Sequence, residues 1–125
     1  MVSRKNIWRS AFFAVFSALL ATGALAHHGW AWTTGKNIKL TGRIEEARLG
    51  NPHGVVKVKV NDEIWTVEVG QPWRNERAGL KDADFAKGTE MTFFGEPSAN
   101  IEDRRLKVER LELRGKTYEL YPRRK

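Results

Sequence analysis

The chain contains no cysteine among its 125 residues. It can therefore form no disulfide, and both thiol chemistry and cysteine-ligated zinc are excluded. Proline is scarce, with 4 residues, and there are only 3 histidines. Packing alone must hold the fold together, and a metal site would depend on donors other than thiolate.

Common signatures of catalysis are also missing. Beyond residue 26 the only serine is Ser98, and neither an H-E-x-x-H motif nor a glycine-rich phosphate loop occurs. We interpret Glu68 and the pair Asp82 and Asp84 as ordinary surface carboxylates. The sequence therefore predicts that the protein is not an enzyme.

The N-terminus lacks an apolar run long enough to cross a bilayer, because residues 11–26 fall short of the roughly 20 that are needed. Arg4, Lys5 and Arg9 precede an apolar run over 11–20, and the small residues of 24–26 (Ala-Leu-Ala) follow it. This order is typical of a secretory signal peptide. We predict cleavage after residue 26, no transmembrane segment in the mature protein and a periplasmic location.

Alternation of apolar and polar residues predicts strands after an irregular arm over residues 27–36. Residues 38–45 form the first strand, in which Gly42 at an inward position suggests a bulge or a strong bend. The runs 56–60 and 64–69 flank an Asn-Asp turn and predict a hairpin.

The second half of the chain predicts one short helix and further strands. Pro72 suits the first turn of a helix and Gly79 its C-terminal end. A fourth strand is expected at 91–94 and a fifth at 106–113, where the apolar phase changes and Glu109-Arg110 predicts a bulge. A further short strand or end piece is expected over residues 117–121.

This order predicts an all-β fold. Strand, hairpin, short helix, strand, strand is the order of a small five-stranded, partly open OB-like barrel with one short helix between strands 3 and 4. Another small β-barrel or an α+β sheet is the alternative. We assign residues 1–26 to the signal peptide, 27–36 to the arm, 37–121 to the barrel and 122–125 to a basic tail.

Two short motifs carry a resemblance to a known family. Ala26-His27-His28 follows the signal directly, and Asn51-Pro52-His53 follows the first strand. With Trp65-Thr66-Val67-Glu68, Pro72, Arg77-Ala78-Gly79-Leu80, Lys87-Gly88 and Glu96-Pro97, the chain resembles a family of small exported bacterial proteins known as a domain of unknown function. The resemblance implies a periplasmic β-barrel without an established activity. Ala47 and Leu49 depart from it, since related chains place aromatic residues there.

All three histidines fall within these motifs: His27, His28 and His53. Imidazole is a common ligand of copper and zinc, so we treat them as candidate ligands for copper or another divalent metal. The mature amine and His27 with His53 would form a histidine brace, whereas the amine, an amide nitrogen and His28 would form a tetragonal Cu(II) site. The alternative is that the histidines belong to a floppy arm and an ordinary turn.

Tryptophan is abundant, with 5 residues. Trp30, Trp32 and Trp73 are candidates for stacking against a ligand, and the alternative for them is packing or tethering of the arm. Trp65 is expected to be buried.

The composition favours a binding role over a nucleic-acid role. The formal net charge is +7, and the chain stays basic after the signal is removed. Outside the cytoplasm such a surface suits an envelope component or an acidic partner better than nucleic acid. We predict a non-enzymatic periplasmic binding module. The alternative is an interaction protein whose basic and aromatic surface binds an unknown periplasmic protein or an anionic envelope component.

Overall fold

The computed structural model describes residues 29–124. The chain divides between Ala31 and Trp32, and only residues 29–31 of the first unit are described. The strands and helices of the described residues belong to the second unit. Within the described range, no helix is both long and apolar enough to cross a membrane.

Within residues 29–124, six strands and one α-helix build the domain. Their bounds are β1 (Ile38–Arg48), β2 (Val55–Val60), β3 (Glu63–Glu68), α1 (Pro72–Ala78), β4 (Glu90–Pro97), β5 (Arg105–Leu113) and β6 (Lys116–Glu119). A 3₁₀ turn, Asp82–Phe85, lies between α1 and β4. The predicted order of elements, with the short helix between the third and fourth strands, is confirmed.

The strands form a closed barrel. β1 pairs antiparallel with both β2 and β4, β2 pairs with β3, and β4 pairs with β5. A parallel pairing of Thr66–Glu68 on β3 with Arg105–Lys107 on β5 completes the ring. The predicted small all-β barrel is therefore confirmed, and the β3–β5 pairing closes it. β6 lies outside the ring, paired with the later half of β5.

The barrel interior is apolar. Alternate residues of the strands meet there, and the fully buried ones include Ile44, Val56, Val58, Val67, Met91, Phe93, Leu106, Val108 and Leu111. Leu80 and Phe85 from the α1–β4 connection are also buried. The inward-facing residues of β5 change from even to odd numbers along the strand. At this change a register shift opposite Phe94 and Gly95 skips Glu109, so the bulge predicted there is confirmed.

Gly42 marks the point where β1 turns from one neighbour to the other. The strand pairs with β4 up to Arg43 and with β2 from Arg43 onward. A Cβ on Gly42 would lie 2.4 Å from the carbonyl oxygen of Lys59, so no larger residue fits without a shift of the backbone. The bulge considered for Gly42 lies further on, because the register shift of β1 falls between Ile44 and Glu46.

The helix is fixed to the end of β3 by a buried asparagine. Asn75 accepts a hydrogen bond from the Gly70 amide at 3.0 Å and donates one to the Gly70 carbonyl at 3.1 Å. Gly79 ends the helix in the left-handed conformation, with φ of 99°. Both predicted helix signals, Pro72 at the start and Gly79 at the end, are confirmed.

Candidate functional site

The loop between β1 and β2 brings His53 against the end of β3. Its Asn51–Pro52 peptide bond is cis. The amide of Gly54 donates to the Gly70 carbonyl at 2.9 Å, and the amide of Val69 donates to the Gly54 carbonyl at 3.0 Å. These main-chain bonds hold the residue before Gly54 next to the last residue of β3.

His53 and Glu68 are in direct contact. Nε2 of His53 contacts Oε1 of Glu68, and the two side chains are 27% and 3% exposed. Glu68 was expected on the surface because it alternates with the inward-facing Val67, and this expectation is wrong. It does point away from the barrel interior, but other parts of the domain cover it there. A buried carboxylate needs charged or hydrogen-bonding partners, and His53 is one of them.

Arg105 is the second partner of Glu68. Its Nη2 lies 2.8 Å from Oε2 of Glu68, where it forms an ion pair although no donor among the described residues is aligned for a hydrogen bond to that oxygen. The guanidinium also stacks 3.9 Å from the ring of Trp32. The amide of Ala99 donates to the Trp32 carbonyl at 2.9 Å, so the indole has a fixed attachment to the barrel. His53, Glu68, Arg105 and Trp32 thus form one continuous row.

A buried lysine on β5 and a half-buried tyrosine of the C-terminal segment lie on the same side of the barrel as Glu68. Burial lowers the pKa of the Lys107 ammonium from its ordinary 10.5, while the nearby Glu68 carboxylate opposes that effect. Burial raises the pKa of the Tyr121 phenol from its ordinary 10.0. Lys107 is 6% exposed, and the amide of Tyr121 donates to the Glu109 carbonyl at 3.0 Å, so the C-terminal segment covers the first half of this side of β5 beside Glu68.

A second carboxylate pair lies further along the same face. Arg124 binds Oε2 of Glu96 at 2.7 Å and lies 3.5 Å from Oε1 of Glu109. Asn37 donates to Oε2 of Glu109 at 2.8 Å, and Thr33 to Oε1 of Glu96 at 3.4 Å. Glu109 is only 5% exposed, because the C-terminal residues fold over it.

His53 also lines an open cavity of about 590 Å³. Its wall is formed by Glu46, Arg48, Leu49, Gly50, Asn51, Pro52, His53, Val55 and Lys57. The loop between the first two strands of an OB-type barrel is a common place for ligands. The described residues of the cavity wall include no phenylalanine, tyrosine or tryptophan, in keeping with the non-aromatic Ala47 and Leu49 of this sequence.

The tryptophans predicted to stack against a ligand occupy different surroundings. Trp32 is half-buried against Arg105, and Trp73 on α1 is 52% exposed. Trp30 lies in a turn in the first unit. Trp65, expected to be buried, is half-buried with Arg104 5.8 Å from its ring.

Only one of the three predicted metal ligands lies within the described residues. His27 and His28 lie outside the described residues, and His53 is the one imidazole within them. Residues 29–124 contain no group of three or more histidine, aspartate or glutamate side chains that could hold an ion. His53 therefore brings one buried carboxylate partner, and a complete metal site would need donors from elsewhere.

Sequence reasoning missed Glu68, Arg105 and Lys107. Strand alternation gave the correct side for each but could not show that this side is covered. The covering residues, Trp32, Tyr121 and Arg124, come from the two ends of the domain. One signal was available in the sequence. The strands carry many charged residues although their inward-facing positions are already apolar.

Comparison with known proteins gives a family and no activity. The model of DUF6152, described as a family of unknown function, matches residues 15–106. No curated protein matches the chain significantly. A solved structure titled as the ZRD-deleted mutant of TiaS in complex with agmatine is similar at 15% identity and a TM-score of 0.48. That similarity covers 68% of this chain and only 26% of the other.

Proposed function

This chain belongs to DUF6152, a family of unknown function, and we propose from its own residues that it is an exported, non-enzymatic binding module of the bacterial periplasm that holds copper or another divalent metal. The charged and apolar order of residues 1–26 supports export. Cleavage after Ala26 would make His27 the first residue of the mature protein.

The observation that carries the proposal is the contact between His53 and Glu68. Histidines that bind metals commonly donate one ring N–H to a carboxylate, which fixes the tautomer and makes the other nitrogen more basic. Oε1 of Glu68 contacts Nε2 of His53, and Oε2 of Glu68 pairs with Arg105. In that arrangement Nδ1 of His53 is the nitrogen left to act as a ligand.

The mature N-terminus supplies further donors in this proposal. A free α-amine with the imidazoles of His27 and His28 offers several nitrogen ligands within two residues. Nitrogen donors in a tetragonal arrangement suit Cu(II), and copper is the divalent metal that such ligands bind most tightly. No cysteine is present to redirect the site towards thiolate chemistry.

A competition experiment tests the proposal. The exported mature protein is loaded with one equivalent of Cu(II) and dialysed against a weak chelator such as glycine. We expect retention by the native protein, loss in the double variant His27→Ala/His28→Ala, and an affinity lower by at least about tenfold in His53→Ala. Arg48→Ala is the matched control, because Arg48 lines the cavity without offering a metal ligand. Failure of the native protein to retain copper would overturn the proposal.

A second role, binding of an anionic envelope component, is supported by a separate observation. Trp73, Arg74 and Tyr121 line a groove together with three further arginines. Salt-sensitive capture of an envelope component should survive replacement of all three histidines by alanine. Loss of capture in that triple variant would assign the interaction to the histidines instead.

A further inference from the structure

A groove of about 490 Å³ lies between α1 and the C-terminal segment. We call it the arginine groove, and its lining includes Trp73, Arg74, Arg77, Tyr121, Arg123 and Arg124. Among the described residues of the lining, Glu119 is the only acidic one. The groove therefore has a strong excess of positive charge beside two aromatic rings.

Arg74 is held rigidly at one side of this groove. Its Nε donates to Oε1 of Gln71 at 3.0 Å, and its Nη1 donates to the carbonyl of Leu120 at 3.0 Å. The guanidinium lies 4.5 Å from the ring of Trp73 and 4.0 Å from that of Tyr121. Within the described residues, Nη2 has no hydrogen-bond partner. A guanidinium fixed in this way can bind an anion with little further loss of side-chain entropy.

Arg77 and Arg123 supply two exposed charges that no carboxylate of the described range neutralises. Arg124 differs from them, because it pairs with Glu96 and Glu109. Arg77 lies in the last turn of α1, where its positive charge interacts favourably with the helix dipole. That interaction leaves the guanidinium free to bind an anion. Arg123 lies outside α1, so the helix dipole does not account for its charge.

We propose that the arginine groove binds a phosphomonoester carried on a sugar ring. Planar guanidinium groups pair with phosphate oxygens in two parallel hydrogen bonds, so Arg77 and Arg123 would hold the phosphate with Nη2 of Arg74. The exposed indole of Trp73 offers an apolar face to the sugar ring, as aromatic walls do in small-molecule sites. The inference deepens the second role proposed above and does not depend on the metal.

Calorimetric titration of the mature protein with glucose 6-phosphate, inorganic phosphate and glucose tests the groove. We expect glucose 6-phosphate to bind more tightly than phosphate, and glucose not to bind. Arg77→Ala and Arg123→Ala should each weaken binding by about tenfold, the effect of one charged hydrogen bond. Trp73→Ala should reduce the affinity for glucose 6-phosphate to that for phosphate. An equal loss in Arg48→Ala, an exposed arginine outside the groove, would reduce the effect to net charge and overturn the proposal.

A vesicle arm distinguishes the source of the ligand. Two kinds of vesicle are sedimented with the native protein and with the double variant Arg77→Ala/Arg123→Ala. One is pure phosphatidylcholine, and in the other a monophosphorylated glycolipid makes up about a tenth of the lipid. Binding that needs both the glycolipid and the two arginines supports a membrane-borne sugar phosphate, and binding of glucose 6-phosphate alone supports a soluble one. Absence of both overturns the groove as a phosphate site. If a protein that binds neither probe still captures another envelope component, the second role remains supported although the groove is not a phosphate site.

Discussion

Nε2 of His53 contacts Oε1 of Glu68, a carboxylate that the barrel carries on its outer side and that is nevertheless almost fully buried. The loop that carries His53 and the strand that carries Glu68 are joined by main-chain bonds through Gly54. The contact therefore belongs to the architecture of the barrel, and it fixes the direction of the one described imidazole.

Replacing Glu68 by glutamine should lower the free energy of unfolding by about 3 kcal/mol. The change leaves Arg105 without its anion and removes the carboxylate that opposes the lowered pKa of Lys107. Urea denaturation at pH 7 measures the loss. Glu46→Gln is the control, because Glu46 is 58% exposed and pairs with Arg48, which is 85% exposed. Equal losses in the two variants would contradict the buried role of Glu68.

Trp32 and Trp73 should differ in their effect on stability. Trp32→Ala removes the ring stacked 3.9 Å from Arg105 and should cost about 1–2 kcal/mol. Trp73→Ala removes a half-exposed ring and should stay within about 0.5 kcal/mol of the native protein. Urea denaturation of both variants compares them directly. A larger loss of unfolding free energy in Trp73→Ala than in Trp32→Ala would contradict the conclusion that Trp32 stabilises the fold and that Trp73 is a surface residue.

Asp84 should stabilise the fold at neutral pH and lose that effect in acid. The Lys81 amide donates to its carboxylate at 2.8 Å and Arg114 binds it at 2.8 Å, and these partners hold the pKa of Asp84 below its ordinary 3.8. Because the folded-state pKa is the lower one, the contribution is complete above pH 3.8 and disappears as the pH falls through the folded-state value. Unfolding free energies between pH 5 and 2 should therefore fall less steeply for Asp84→Asn than for the native protein.

The exposed neighbour Asp82 provides the control for this experiment. Asp82→Asn should leave the acid slope close to that of the native protein. A slope that changes equally in both variants would show that the hydrogen bonds of Asp84 do not set the acid response.

Gly95 should not tolerate a side chain. A Cβ at this position would lie 2.1 Å from the carbonyl oxygen of Lys107, at the register shift between β4 and β5. Gly95→Ala must displace backbone on one of the two strands, and we expect a loss of about 3 kcal/mol or more. Gly50→Ala is the control, since nothing lies within 4 Å of its Cβ position. Thermal melting of the two variants decides the point, and an unchanged melting temperature for Gly95→Ala would contradict the close approach.

Much of the fold could be predicted because local patterns determine it. The alternation of Val56, Val58 and Val60 identified a strand, and Pro72 and Gly79 identified the ends of α1. The change of phase in β5 located the bulge at Glu109. Each of these signals lies within a few residues of the feature it predicts.

The candidate site could be predicted only in part, because it depends on contacts between distant segments. The Asn-Pro-His motif marked His53, but its partner Glu68 belongs to another strand. Glu68, Lys107 and Glu109 sit at outward positions, which in an isolated barrel would face water. Whether an outward position is covered depends on where the ends of the domain fold, and alternation along a strand carries no information about that.

The most direct test of the proposed function compares Cu(II) binding by two forms of the protein. One is matured by export, and the other is made in the cytoplasm from residue 27 with an additional N-terminal methionine. Titration followed by electron paramagnetic resonance reports the ligands of the copper. We predict tight binding with a nitrogen-rich spectrum in the exported form only. Absence of binding in both forms, or identical spectra, would contradict a copper site built on the mature N-terminus.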